Sequence, residues 1–151
     1  MDADADEVIH LIVNVKPVAQ PRHSVSTRGG FVKHYIPSEH PVHAYRSAIV
    51  DAAKKLGKRG PIEGPVRLEC VFAFKKAGRK RIGWRIARPD LDNLEKAVMD
   101  ALTQAGVWLD DAQVAEKASG KVDANSDCVS IKIKRLGFDL PNQSCHTDRH
   151  A

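Results

Sequence analysis

Residues 88–114 read RPDLDNLEKAVMDALTQAGVWLDDAQV. Within this stretch Leu94, Val98, Leu102 and Ala105 gather on one side of a helical wheel, with Ala101 continuing the apolar stripe. The spacing predicts an amphipathic helix from Leu91 to Ala105, stopped at Gly106. Asp90 falls at or near its N-cap, and Asp92 and Lys96 lie one turn apart on an adjacent polar side. Asp110 and Asp111 follow Trp108 after a short return.

Several carboxylates and an ammonium are thus collected around one helix start. A divalent cation needs hard anionic oxygens held close together, and phosphoryl chemistry needs a positive group near the oxygen that gains charge. The expectation is that Asp90, Asp92 and Asp111 converge on one magnesium or manganese site, with Lys96 beside it. Each residue also has a plainer role open to it. Asp90 can cap the helix, Asp92 can favour its first turn, Asp92 and Lys96 can form an exposed ion pair, and Asp110-Asp111 can be a solvated turn.

Directly upstream, residues 75–88 contain Lys75, Lys76, Arg79, Lys80, Arg81, Arg85 and Arg88, two glycines and no acid. They read as a mobile basic loop. A positive segment next to an acidic site can neutralise DNA phosphates, and Trp84 within it can stack on a base. The alternatives are a flexible solvated linker for the loop and a core or anchoring place for Trp84.

The remaining elements define the class of fold. Residues 8–16 are rich in β-branched groups and predict a buried strand ended by Pro17. Residues 31–36 suit a second strand, pairing back across a turn-rich segment. Ser38 can cap a helix with Pro41 in its first turn and Tyr45, Ile49, Ala52 and Leu56 at helical spacing, stopped by Gly57. Val66, Leu68, Cys70, Phe72 and Phe74 alternate along a third strand. Residues 114–122 and 129–136 complete the set, with Ser126-Asp127 near the turn between them. The sum is an α/β chain of the α+β type, one domain over residues 8–136, with a mixed sheet of about five strands and two main helices. Residues 1–7 are expected to be a flexible acidic leader, and residues 137–151 a disordered polar tail.

Bulk properties narrow the function. A chain of 151 residues with 42% hydrophobic residues suits a single core. A net charge of +5 favours a polyanionic partner. Cys70, Cys128 and Cys145 are an odd set without a CxxC pair, which argues against a disulfide framework or a four-thiolate zinc site. No apolar run approaches the ~20 residues of a membrane span, so a soluble intracellular protein without membrane contact is expected. His40 and His43, and His146 and His150, lack companion ligands for zinc. Gly29-Gly30 lacks the surroundings of a dinucleotide site, and Cys70 alternates with core residues.

Asp90-Leu91-Asp92-Asn93-Leu94 with Lys96, then Asp100-Ala101-Leu102, Ala105-Gly106 and Trp108-Leu109-Asp110-Asp111-Ala112-Gln113-Val114, resembles without a gap the core motif of the RusA family of Holliday-junction resolvases, small endonucleases of bacteria and their phages. Looser similarity, including Gln20-Pro21-Arg22, runs from roughly residue 8 to residue 136. The resemblance implies a cytoplasmic homodimer that nicks four-way DNA junctions symmetrically. It implies that Asp90, Asp92 and Asp111 form a magnesium-binding catalytic site and that Lys96 is required for cleavage. The chain departs from the family in its acidic leader, its polar tail and its basic loop. Outside that class, a noncatalytic module binding branched or single-stranded DNA, or a flap nuclease, fits the same residues.

Overall fold

The computed structural model describes residues 7–22, 24–26, 28–30, 33–57 and 59–138. The leader up to residue 6 and the tail from residue 139 lie outside them. A five-stranded mixed sheet and two helices form one α+β domain, as the periodicities imply.

The centre of the sheet is β4 (Val66–Lys75), whose alternation is directly visible in its burial. Val66, Leu68, Cys70, Phe72 and Phe74 point into the core. β7 (Cys128–Arg135) runs antiparallel along one side of β4 and sets Ile133 against Leu68, Ile131 against Cys70 and Val129 against Phe72. β6 (Val114–Ala124) runs parallel along the other side. β1 (Val8–Val13) pairs with β7 at one edge, and a two-residue β5 (Gly83–Trp84) pairs with the end of β6 at the other. The order is β1-β7-β4-β6-β5.

Parallel neighbours need a crossover, and α2 (Leu91–Gln104) supplies it between β4 and β6. Leu94, Val98, Ala101 and Leu102 are all 0% exposed, so the predicted stripe is the face that meets the sheet. α1 (Val42–Lys54) packs beside α2 with Val42, Tyr45 and Ile49 buried. Trp108 joins the same core, and its indole N–H donates to Thr103 Oγ1 at 2.7 Å.

Several local expectations are corrected. β1 ends at Val13 rather than Lys16, and it is an edge strand with Val8 and Ile12 more than half exposed. Only alternate residues reach the core. The second strand is shorter, β3 (Lys33–Tyr35), and it pairs with β2 (Ser24–Ser26) in a separate two-stranded sheet instead of with β1. Phe31 and Val32 lie outside the described residues. Ser38 does not cap α1. Pro41 occupies the cap position, offers no side-chain acceptor, and the Val42 N–H is taken by His40 Nδ1 at 3.1 Å. Leu56 falls beyond the helix, because Gly57 adopts φ +94° and the chain turns away. None of the described helices is long and apolar enough to cross a membrane.

Because α2 closes the core over both β4 and β6, truncating Leu102 to alanine should cost about 2 to 5 kcal/mol. Urea unfolding should show a lower midpoint at unchanged slope. A loss below roughly 1 kcal/mol would mean that this side chain's contacts are replaced by relaxation.

Candidate active site

The start of α2 carries two of the predicted acids. Asp90 is the N-cap residue, with extended backbone at φ −72° and ψ 142°, yet its side chain makes no capping hydrogen bond. The plainer role is therefore not the one its carboxylate plays. Asp92 Oδ1 accepts only from the neighbouring Asn93 N–H, at 2.9 Å, and both acids are exposed. Among the described residues neither is in an ion pair.

Lys96 does not face Asp92. Its ammonium lies 3.6 Å from Asp100 Oδ1, one turn further along. Asp100 also accepts from Arg46 Nη2 at 3.0 Å, and Arg46 donates in turn to Gln20 Oε1. Gln20 is buried, and its N–H donates to Asn93 O at 2.9 Å. This chain of contacts fastens the Gln20-Pro21-Arg22 segment and α1 to the acid-bearing turn. The sequence signal for it was present: Asp100 is as well spaced from Lys96 as Asp92 is. Pairing with Asp100 leaves the Asp92 carboxylate without a cation.

The segment entering α2 is tied down by two cations. Arg85 Nη1 donates to Asp123 Oδ1 at 2.7 Å, and its Nη2 donates to Arg88 O at 2.7 Å. Its guanidinium carbon sits 4.4 Å from the centre of the Phe74 ring. Lys121 Nζ, from β6, donates to Ala87 O and Pro89 O, both at 2.8 Å. Residues 87, 88 and 89 thus each give a carbonyl to a half-buried cation immediately before Asp90. The basic segment is consequently not loop throughout: β4 runs into it as far as Lys75, β5 lies inside it, and Arg85 is spent on internal contacts. Lys75, Lys76, Arg79, Lys80, Arg81 and Arg88 make no ion pair among the described residues. All but Lys76 are exposed.

Glu95, on the buried side of the same helix turn, is 7% exposed, and Lys117 Nζ lies 3.1 Å from its Oε2, although the angles there are not those of a hydrogen bond. Next to it Cys70 is buried, and desolvation pushes its thiol up to about 12, so it stays protonated and packs rather than attacks.

Asp111 is elsewhere. It opens a 3-10 turn (Asp111–Gln113) that leads into β6. Asp110 caps that turn by accepting from Ala112 N–H at 2.8 Å. Gln113 Oε1 accepts from Leu109 N–H and Asp110 N–H, while its Nε2 donates to Ile62 O and Gly64 O. Asp110 is therefore structural, and Asp111 stands, half-buried, at a firmly built corner. That corner lies past the far end of α2, whose 14 residues span roughly 21 Å at 1.5 Å each. β6 gives the same answer. Lys121 meets the start of α2, whereas Asp111 precedes Val114, and the eight residues from Val114 to Lys121 cover roughly 23 Å of strand. The expected convergence of three acids within one chain is not met: no three acidic, histidine or cysteine side chains among the described residues could hold a metal ion together.

The α+β sheet and its crossover helix thus carry two carboxylates at the helix start and a third past its return, and among the described residues none of the three is in an ion pair. The chain belongs to the RusA family, since the model of Endodeoxyribonuclease RusA matches residues 14–134. It is 39% identical over 77 residues to the crossover junction endodeoxyribonuclease RusA of Escherichia coli strain K12, covering 48% of this chain and 53% of that protein. The corresponding protein of Enterobacteria phage 82 gives the same figures, and that of Lactococcus phage r1t is 33% identical over 73 residues, 48% of this chain and 56% of the relative. The chain spans about half the length of these curated relatives.

Substituting Lys121→Met should release the Ala87 and Pro89 carbonyls while the core persists. Amide exchange should accelerate over residues 85–92 and remain slow in β4 and β7. Unchanged exchange there would show that Arg85 alone holds the segment.

Proposed function

We propose that the chain is a divalent-metal-dependent endonuclease that acts as a homodimer and resolves four-way DNA junctions by paired symmetric nicks. The observation that carries this is the pair Asp90 and Asp92, two hard carboxylates at one helix start that, among the described residues, neither cap the helix nor pair with a cation. Magnesium typically takes one or two carboxylates and completes its shell with phosphate and water, so this pair fits it, and manganese as well. Family membership and the names of the relatives support the same reading.

The separation of Asp111 supports the dimer. One chain offers two acids at one place and one at another, and an isologous two-fold repeats both. Setting the Asp111 corner of each copy against the α2 start of the other would assemble two equivalent three-acid sites. A four-way junction presents two scissile strands related by a two-fold, which matches that arrangement.

Asp90, Asp92 and the other copy's Asp111 would hold the ion. A bound divalent cation supplies polarisation of a phosphate oxygen and lowers the pKa of water. Lys96, held against Asp100 but more than half exposed at its side chain, swings toward the phosphate and balances charge on the leaving oxygen as the P–O bond breaks. Water adds to phosphorus, and its proton ends on bulk solvent or on the departing oxygen. Lys75, Lys76, Arg79, Lys80, Arg81 and Arg88 position backbone phosphates; Arg85 contributes by fixing the segment that carries them.

Asp90→Asn should lower magnesium-dependent junction cleavage roughly 100-fold or more, with binding retained, whereas Lys96→Ala should reduce kcat more than it raises KM. Unchanged cleavage by Asp90→Asn would refute the assignment, and binding without cutting by the unsubstituted protein under every metal would favour a noncatalytic branched-DNA module. Coexpressed Asp90→Asn and Asp111→Asn chains test the sharing directly. Mixed dimers with shared sites contain one doubly altered site and one intact site, so single nicks should reappear. Sites built within one chain would leave both dead.

A further inference from the structure

We infer that Trp84 is a stacking platform for an unstacked base of branched DNA, held rigid beside the acid-bearing helix start. The inference rests on the proposed action on DNA and adds a contact surface to it. The chain has two tryptophans with opposite fates: Trp108 is 1% exposed in the core, whereas Trp84 is 81% exposed. Ile82 and Ile86, two residues to either side, are 61% and 99% exposed. Leaving three large apolar groups in water forfeits the stabilisation that burial of each would bring, so the arrangement is not explained by folding.

Nor is it a loose loop that fails to pack. Trp84 lies in β5, opposite Val122 of β6. Arg85, the next residue, donates its N–H to Lys121 O at 3.0 Å and turns its side chain to Asp123 and Phe74 on the opposite side of the strand. The indole rests against Gly120: a Cβ at that position would meet Trp84 Cζ3 at 2.9 Å. Any larger residue there would push the ring away. One surface of the indole is thus backed by the sheet while the rest stays open.

The surrounding charge identifies the occupant. Among the described residues six of the seven cations of residues 75–88 make no ion pair, and the segment holds no acid. Subunit interfaces are depleted in lysine, whereas aromatic groups interleaved with cations are the common platform for unpaired bases. Residues 82–86 lie just upstream of Asp90, close enough that a base stacked there shares a strand with a phosphate at the acids.

The test compares the unsubstituted protein with Trp84→Ala, Trp84→Phe, Gly120→Val and a triple Arg79→Ala, Lys80→Ala, Arg81→Ala variant. Each is titrated with a labelled four-way junction without divalent metal over a series of salt concentrations. Trp84→Ala should weaken binding roughly 5- to 100-fold, as the loss of a stacked base does, with the salt slope unchanged. Trp84→Phe should retain most of the affinity, and Gly120→Val should resemble Trp84→Ala. The triple variant should instead flatten the salt slope. Junction should quench the exposed Trp84 emission and spare that of Trp108. Affinity within twofold for Trp84→Ala, or a sedimentation change in place of a binding change, overturns the platform. Junction cleavage by the unsubstituted protein with magnesium separates the two ideas: if it cuts while Trp84→Ala binds and cuts equally, only the platform falls, and if it neither binds nor cuts branched DNA, both fall.

Discussion

Everything in the site follows from the parallel pairing of β4 with β6. Parallel strands cannot be joined by a hairpin, so the chain must leave the end of β4, travel back along the sheet and re-enter at the start of β6. α2 makes that journey, and its apolar stripe buries Leu94, Ala97, Val98, Ala101 and Leu102 in the core. The polar consequences are then geometric. Whatever the sequence places before α2 stands at one end of the sheet, and whatever it places after stands at the other.

The same constraint explains why so much hydrogen bonding is invested at the two helix ends. At the start, Arg85 and Lys121 take three successive backbone carbonyls, and Gln20 takes that of Asn93. At the return, Gln113 satisfies four backbone groups with one side chain. Charged donors make the stronger hydrogen bonds, and a segment whose carbonyls are held this way keeps its carboxylates in place without using them. Among the described residues Asp90 and Asp111 enter no ion pair, because their neighbours do the structural work. Arg67 belongs to a separate network on the sheet, where its guanidinium, hydrogen-bonded to Glu69 and paired with Glu116, has its pKa raised.

The α2 stripe and the alternation of β4 were legible in the residues because each repeats one period against one continuous core. The motif acids were legible as carboxylates placed around the start and the return of α2. Their separation was not read, although helix rise contained it: a helix of this length moves its ends far apart, and the short return after Gly106 has too few residues to undo that. β5 escaped because two residues carry no periodicity, and its pairing depends on β6, far along the chain. The cap of α1 escaped because histidine is an uncommon acceptor at that position. The partner of Lys96 was not legible because Asp92 and Asp100 are equally spaced from it, and only Arg46, from another helix, draws Asp100 into the pair.

On the proposed reading, dividing the acids between the ends of α2 also governs when cutting occurs. A lone chain holds two carboxylates at one place, enough for weak affinity toward a hard cation but not for the full set. A second copy would add the third acid, and the two-fold that completed one such site would complete the other at the same moment. A junction bound by such a dimer meets two competent sites or none. On that proposal paired nicks would follow from the length of one helix, since a shorter crossover that let Asp111 reach Asp90 within a chain would permit a single copy to cut one strand alone.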